Sequence, residues 1–238
     1  MAYAKIRGVP TAEGAVPLSP TVRSTPRREA DRAQTDRAAL HDVLASALVC
    51  HLAVVVDGIP MALPTVFGVD VDGPDRGGTV YLHGSVASRS LVQGPIQEAS
   101  ATWTVLDGLV LARSGFNHSM NYPSAVVIGR PRVVTDPAER AHALDVIVDH
   151  AVPGRSVALR TPTRKELAAT TVLALPLHEA SVKRRTGGPD DEDVDVAAGG
   201  VWAGVLPLRL ASTGPEPADD LDDVPVPEHV ARRAADFR

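Results

Sequence analysis

The chain has 238 residues, 44% hydrophobic and 22% charged, enough for one sizeable core with extensions. A net charge of −5 excludes a non-specific nucleic-acid binder, which needs a basic face. Cys50 is the single cysteine and aromatics make up 3%, so no intrachain disulfide forms, a reducing cytoplasmic setting is expected and the core is aliphatic. No run approaches the ~20 apolar residues that span a bilayer, and no apolar stretch follows Lys5 and Arg7 as in a signal peptide.

Residues 1–30, rich in Pro, Ala, Arg and Thr, read as an extended arm ahead of a domain at 31–212. Asp36 caps a first helix whose Leu40, Val43, Leu44, Ala47 and Leu48 form one face. A buried strand is expected at 50–56, a hairpin at Asp57-Gly58, and a return strand at 61–69. Pro60 and Pro64 give that strand an edge position or a bulge. After an acidic, turn-rich loop at 70–78 come a strand at 79–83 and a short helix at 87–93. Strands at 99–106 and 109–114 flank Asp107-Gly108, which reads as a second hairpin. A long apolar strand is expected at 124–135.

Asp136-Pro137-Ala138-Glu139 opens a helix with a cap, a first-position proline and an early Glu. Ala141, Leu144, Ile147 and Val148 form its buried face. Thr161-Pro162 opens a short helix through Leu167. A strand follows at 170–182, then a loop at 184–200 with an acidic run, then a last strand at 201–210 containing Trp202. The tail, 213–238, is acidic and Pro-rich and reads as poorly ordered. Strands too close in sequence for helical crossovers make the fold antiparallel, and the pattern is that of a barrel.

Two segments carry the chemistry: Tyr81-Leu-His-Gly-Ser-Val-Ala-Ser-Arg89 and Arg113-Ser-Gly-Phe-Asn-His-Ser-Met-Asn-Tyr-Pro-Ser124. The first reads as strand, glycine turn and helix opening, a geometry that points backbone N–H groups at a phosphate. Ser85 and Ser88 add hydroxyls and Arg89 a charged fork. The second reads as a loop that completes a shared pocket. Together they point to a phosphorylated cofactor on a β-scaffold. Cys50 reads as a small buried hydrophobe, and no His/Cys/Asp set has metal-site spacing.

The order of these motifs, from Asp36 to Val-Trp-Ala-Gly-Val-Leu-Pro-Leu near the end, resembles the FMN-binding split-barrel superfamily. The resemblance is to the branch of flavin-nucleotide-binding relatives of pyridoxamine 5′-phosphate oxidase and of nitroimidazole-resistance proteins. It implies a mainly β fold, an antiparallel six-stranded split β-barrel with peripheral helices, working as a homodimer with FMN at the subunit interface. Carried over, Pro64, Thr65 and Val66 run along the flavin, and His83, Gly84, Ser85, Ser88 and Arg89 hold its phosphate or lie beside it. Asn121, Tyr122 and Ser124 of the second subunit close the cleft, and Trp202 covers the ring. The implied activity is FMN-dependent oxidoreduction of a small molecule.

True pyridoxamine phosphate oxidases end in a strand with Arg and His. Here that stretch has Arg209 but no His, which argues against that substrate. The other readings are a flavin carrier without turnover, a haem protein with His51, His83 or His118 as axial ligand, and a deazaflavin protein.

Overall fold

The computed structural model describes residues 17–85, 98–221 and 223–237. Twelve strands among the described residues form two sheets, both antiparallel throughout. The first helix, α1 (Arg37–Ser46), starts where Asp36 accepts from Ala38 N at 2.9 Å, and buries Leu40, Val43 and Leu44. Strand β2 (Cys50–Val56) alternates, with Cys50, Leu52 and Val54 inside and His51 and Val55 outside. Asp57 (φ 51) and Gly58 (φ 78) both take positive φ, the hairpin turn that this dipeptide favours. The return strand β3 (Ile59–Thr65) is an edge, as its two prolines require.

The expected strand at 61–69 is two strands. β3 stays beside β2, and β4 (Phe67–Asp70) pairs with β5 (Thr79–Ser85) in the other sheet. Val66 sits between them and belongs to neither ladder. The expected strand at 170–182 likewise divides. β10 (Thr170–Pro176) lies beside β5, while β11 (Ala180–Arg185) joins β8 (Ser119–Gly129) in the first sheet. Apolar patterning along a stretch does not by itself report where the chain changes sheets.

Asp107-Gly108 is not a hairpin. β6 (Ala99–Thr104) and β7 (Gly108–Leu111) do not pair with each other; both pair with β8, β6 along Ser124 to Gly129 and β7 along Ser119 to Asn121. β8 begins at Ser119, before the expected 124, and ends at Gly129, with the two-residue β9 (Arg132–Val133) beyond it. The last strand is shorter than expected: β12 (Gly204–Pro207) pairs with β7 and makes a ribbon off the main sheet.

One core lies between the two sheets, lined by Leu52, Trp103, Ala125 and Val182 from the first and by Phe67, Val80, Leu82 and Leu173 from the second. α2 (Pro137–Ala151) covers the other face of the second sheet, placing Ala143 and Ile147 against Tyr81, Val172 and Ala174. The buried face therefore uses Ala143 rather than the expected Ala141. The α2 start is as read: Asp136 accepts from Glu139 N at 2.8 Å, with Pro137 following. β4 approaches α2 so closely that a Cβ on Gly68 would lie 2.7 Å from the Ile147 backbone N. The centres of β5 and β10 are thus buried on both faces, which is why Val80 to Leu82 and Val172 to Leu175 are apolar without alternation.

α3 (Arg164–Ala169) carries a capping box between Thr163 and Glu166. α4 (Asp193–Ala198) sits in the expected loop, and α5 (Glu228–Asp236) lies in the tail, where no element was expected. The described part of the arm runs along its own chain. Leu18 enters the core, Ser19 N–H donates to Ala180 O, and β1 (Ala33–Gln34) pairs with β11. No helix among the described residues is long and apolar enough to cross a membrane.

Candidate functional site

Strand direction sorts the candidate residues by barrel end. Ser85 lies opposite Thr170, and Thr79 opposite Pro176. β11 starts just beyond Pro176, so Arg185 returns to the Ser85 end, where it faces Tyr122. Ser124 faces Thr104, and Thr65 faces the first residue of β2, Cys50. Phe67 opposite Leu82 places Val66 level with His83. Thr65, Val66, His83, Gly84, Ser85, Asn121, Tyr122 and Ser124 therefore all belong to one end of the barrel.

Within one chain they form two groups. Thr65 and Val66 adjoin His83 to Ser85, while Asn121 to Ser124 lie on β8, with β2 and β6 between β8 and β3. Three inter-strand spacings separate the groups, about 14 Å along the sheet.

Gly84 and Ser85 correct one expectation. β5 continues through them, paired with Thr171 and Thr170, so no glycine turn follows His83. The expected helix at 87–93, with Ser88 and Arg89, lies outside the described residues. His83 is half-buried, and its Nδ1 is buried with no hydrogen-bond partner among the described residues. An unpaired buried ring nitrogen is costly unless a ligand or water meets it. Val66 is exposed and outside both ladders, and Thr65 Oγ1 donates to Val66 O at 3.1 Å. This stretch offers backbone groups to a flat polar edge. Pro64 is an exposed β3 residue opposite His51.

Asn121 and Tyr122 lie in a strand rather than the expected loop. The Asn121 amide is committed at both ends: its Oδ1 accepts from Arg185 Nη1 at 2.6 Å and its Nδ2 donates to Gly187 O at 3.0 Å. Arg185, 8% exposed, also donates to Gly188 O at 2.9 Å. Trp202 is 67% exposed and its ring lies over Gly204, where an added Cβ would meet it at 2.8 Å. Gly204 pairs with Leu111, away from the β3 and β5 group. His118 is exposed, its Nδ1 bonded to Ser114 O at 2.8 Å.

Sequence reasoning missed a second anchor. Asp191, with a side chain 3% exposed, accepts from Arg113 N and Arg113 Nη1 at 2.7 and 2.6 Å, pinning the acidic loop to the segment after β7. The Arg113 backbone N–H, then its guanidinium, holds that carboxyl below its ordinary range. The basic run Lys183-Arg184-Arg185 closing an apolar strand was the available signal for Arg185. Burial pushes the Cys50 thiol up to about 12, as expected of an inert core cysteine. No group of His, Cys, Asp or Glu among the described residues can hold a metal ion.

A family profile described as pyridoxamine 5′-phosphate oxidase matches residues 36–184. Among solved structures, the chain is similar to the flavocytochrome Anf3 from Azotobacter vinelandii, at 36% identity and a TM-score of 0.82, covering 93% of this chain and 99% of that one. It is also similar to the FAD and heme binding protein from Mycobacterium smegmatis, at 40% identity and a TM-score of 0.74, covering 84% and 95%. A protein from Bacteroides thetaiotaomicron described as a 5-nitroimidazole antibiotic resistance protein, at 21% identity and a TM-score of 0.51 over 63% and 85%, shares the fold. No curated protein sequence matches. With the profile spanning most of the barrel and two relatives above 30% identity along nearly the whole chain, this protein belongs to the pyridoxamine 5′-phosphate oxidase family of split barrels.

Proposed function

We propose that this protein binds a flavin nucleotide at the barrel end described above and works as a redox protein on a small molecule. The observation that carries this reading is the convergence of Thr65 and Val66, which the resemblance implied, with His83, Gly84 and Ser85 on one barrel end. His83 Nδ1, without a partner among the described residues, fits a ligand that presents an acceptor or a proton there. The Val66 backbone, exposed and outside both strand ladders, fits the polar edge of a flavin ring. Ser88 and Arg89 complete the anion-binding part in this reading. The flavin, when bound, supplies hydride and electron transfer. The chain orients it and places hydrogen-bond donors against its edge.

FMN is the nucleotide implied by the first reading of the motifs. FAD is favoured by one relative that carries it in its name, and haem by two relatives named for a haem group. Haem therefore stands as a second reading. His51 projects from an outward sheet face shared with Ala53, Val55, Ala62 and Pro64, a flat apolar surface that suits a macrocycle. His83 and His118 are the other candidate ligands.

We also propose a homodimer. Leu206, Leu109 and Met120 form a cross-strand row on the ribbon, with Trp202 over the adjoining Gly204. Leu206 and Met120 are 51% and 50% exposed. Such a patch fits a second copy, which would also bring the β8 group to the partner's β3 and β5 group.

The test is the visible spectrum of the purified protein before and after adding FMN, FAD and haem, with chromatography of the released chromophore. Retained flavin bands support the main reading, and NADH or NADPH oxidation would separate an enzyme from a carrier. A Soret band without flavin bands, or no retained chromophore at all, would overturn it.

A further inference from the structure

The tail helix α5 buries no residue fully, yet it is docked. His229, Val230, Arg233, Ala234 and Phe237 make its half-buried side. Arg233 Nε donates to Ala151 O at 2.8 Å, at the last residue of α2, and the guanidinium lies 4.5 Å from the Phe237 ring centre. Ser212 N–H, just after the ribbon, donates to Phe237 O at 3.0 Å, fastening the far end. A cation on the last carbonyls of a helix suits the negative end of its dipole.

The turn that α5 holds reaches the candidate site. His150, next to Ala151, donates from Nε2 to Ala47 O at 2.8 Å, and its ring lies 4.1 Å from that of Phe67. Ala47 leads into β2, whose Cys50 faces Thr65, and Phe67 directly follows Val66. The last turn of α2 thus touches the segment that carries Thr65 and Val66 through Phe67, and the link into its partner strand β2 through Ala47.

We propose that α5 is a detachable strap whose docking on α2 sets how tightly the Thr65–Val66 end of the barrel retains its ligand. The proposal rests on the flavin reading above. With a few polar contacts and no fully buried side chain, the strap belongs to the low-stability end of the structure and opens without global unfolding. Opening frees the last turn of α2, loosens His150 against Phe67, and so loosens the strand junction at Val66.

The test uses the full chain with Arg233→Ala and Arg233→Lys. Amide hydrogen exchange is followed in α5 and at 66–69, with and without added flavin, and flavin release is followed by fluorescence on dilution. Arg233→Ala is expected to speed exchange in both segments and flavin release by about tenfold, the loss of one charged hydrogen bond. Arg233→Lys, which keeps a cation at the helix end, falls between it and the wild type. Faster exchange confined to α5, with exchange at 66–69 and flavin release unchanged, would overturn the proposal, as would unchanged exchange in α5. A wild-type protein that takes up no flavin overturns the functional reading and the ligand half of this one; exchange at 66–69 then still decides whether the strap braces the strand junction.

Discussion

At the scale of single residues, two side chains chosen for ligand contact have different structural roles. His83 keeps a buried ring nitrogen with no hydrogen-bond partner among the described residues, which fits the ligand contact proposed for it. His83→Leu is expected to weaken flavin binding about tenfold or more while leaving the apo melting temperature unchanged or higher, because an unsatisfied buried polar atom is removed. Flavin fluorescence titration beside a thermal melt checks both halves. Asn121 holds Arg185 and the 187–188 turn with both ends of its amide. Asn121→Ala strands a buried guanidinium and is expected to cost about 1–3 kcal/mol in apo stability; an unchanged urea midpoint would show that the network contributes nothing. The types of these residues were legible in the sequence. Their partners were not, because Arg185 and Gly187 lie on another strand and loop that meet Asn121 only through β8 and β11 pairing.

Among the elements, the helix caps at Asp36 and Asp136 came out as read, while the helix expected to open at Thr161-Pro162 starts instead at Arg164 behind the Thr163 cap, and strands set by pairing departed further. Helices α1 and α2 start at Asp36 and Asp136 because a short acceptor there satisfies N–H groups that no carbonyl can reach. Thr163→Ala should remove the capping box of α3 and cost about 1 kcal/mol, read from chemical denaturation. The Asp57-Gly58 hairpin formed because both residues tolerate positive φ. Asp107-Gly108 has the same composition without the same fate, since β8 is long enough to pair with β6 and β7 in succession. Gly68 shows the tertiary contribution most directly. Gly68→Ala pushes a methyl group into the α2 backbone and is expected to destabilise by about 1–3 kcal/mol. A midpoint at the wild-type value would mean that α2 shifts freely.

For the whole molecule, stability should fall in two acid stages. Burial first, with nearby arginine charge second for His41, lowers the pKa of His41 and His150, and His178 is lowered the same way. A histidine buried neutral contributes fully above its ordinary 6.5 and loses that contribution as pH drops towards its lower folded value, because the unfolded chain binds the proton more readily. Glu139 and Glu179 are lowered by hydrogen bonds from Arg132 and Arg23, and Asp191 by Arg113. Their contribution is present above the ordinary carboxylate values and is lost only as pH falls through the lower folded ones. Urea midpoints are therefore expected to decline from about pH 6.5 and again below about pH 4.5. His150→Gln, which keeps a donor for Ala47 O, should reduce the first decline. A flat profile between about pH 7 and pH 5 would refute the histidine assignment. The proposed two-subunit cleft makes a further expectation: dilution to monomers should release flavin, and a monomer that retains it would sink the two-subunit arrangement.

The sequence by itself determined the features that depend on neighbours along the chain. These are the antiparallel β class, the capped helices at Asp36 and Asp136, the first hairpin, the edge-or-bulge character of β3 and the strand that ends in His83. Each follows from hydrophobic period, capping chemistry or turn residues within a few positions. Only the tertiary structure decided where the chain changes sheets at Val66 and between β10 and β11. The same holds for the sharing of β8 by two strands, the folding of the tail back on α2 and the gathering of the candidate residues at one barrel end. Those outcomes depend on which strand edge is still unpaired when another segment arrives and on how closely two backbones approach, and neither is written in local composition.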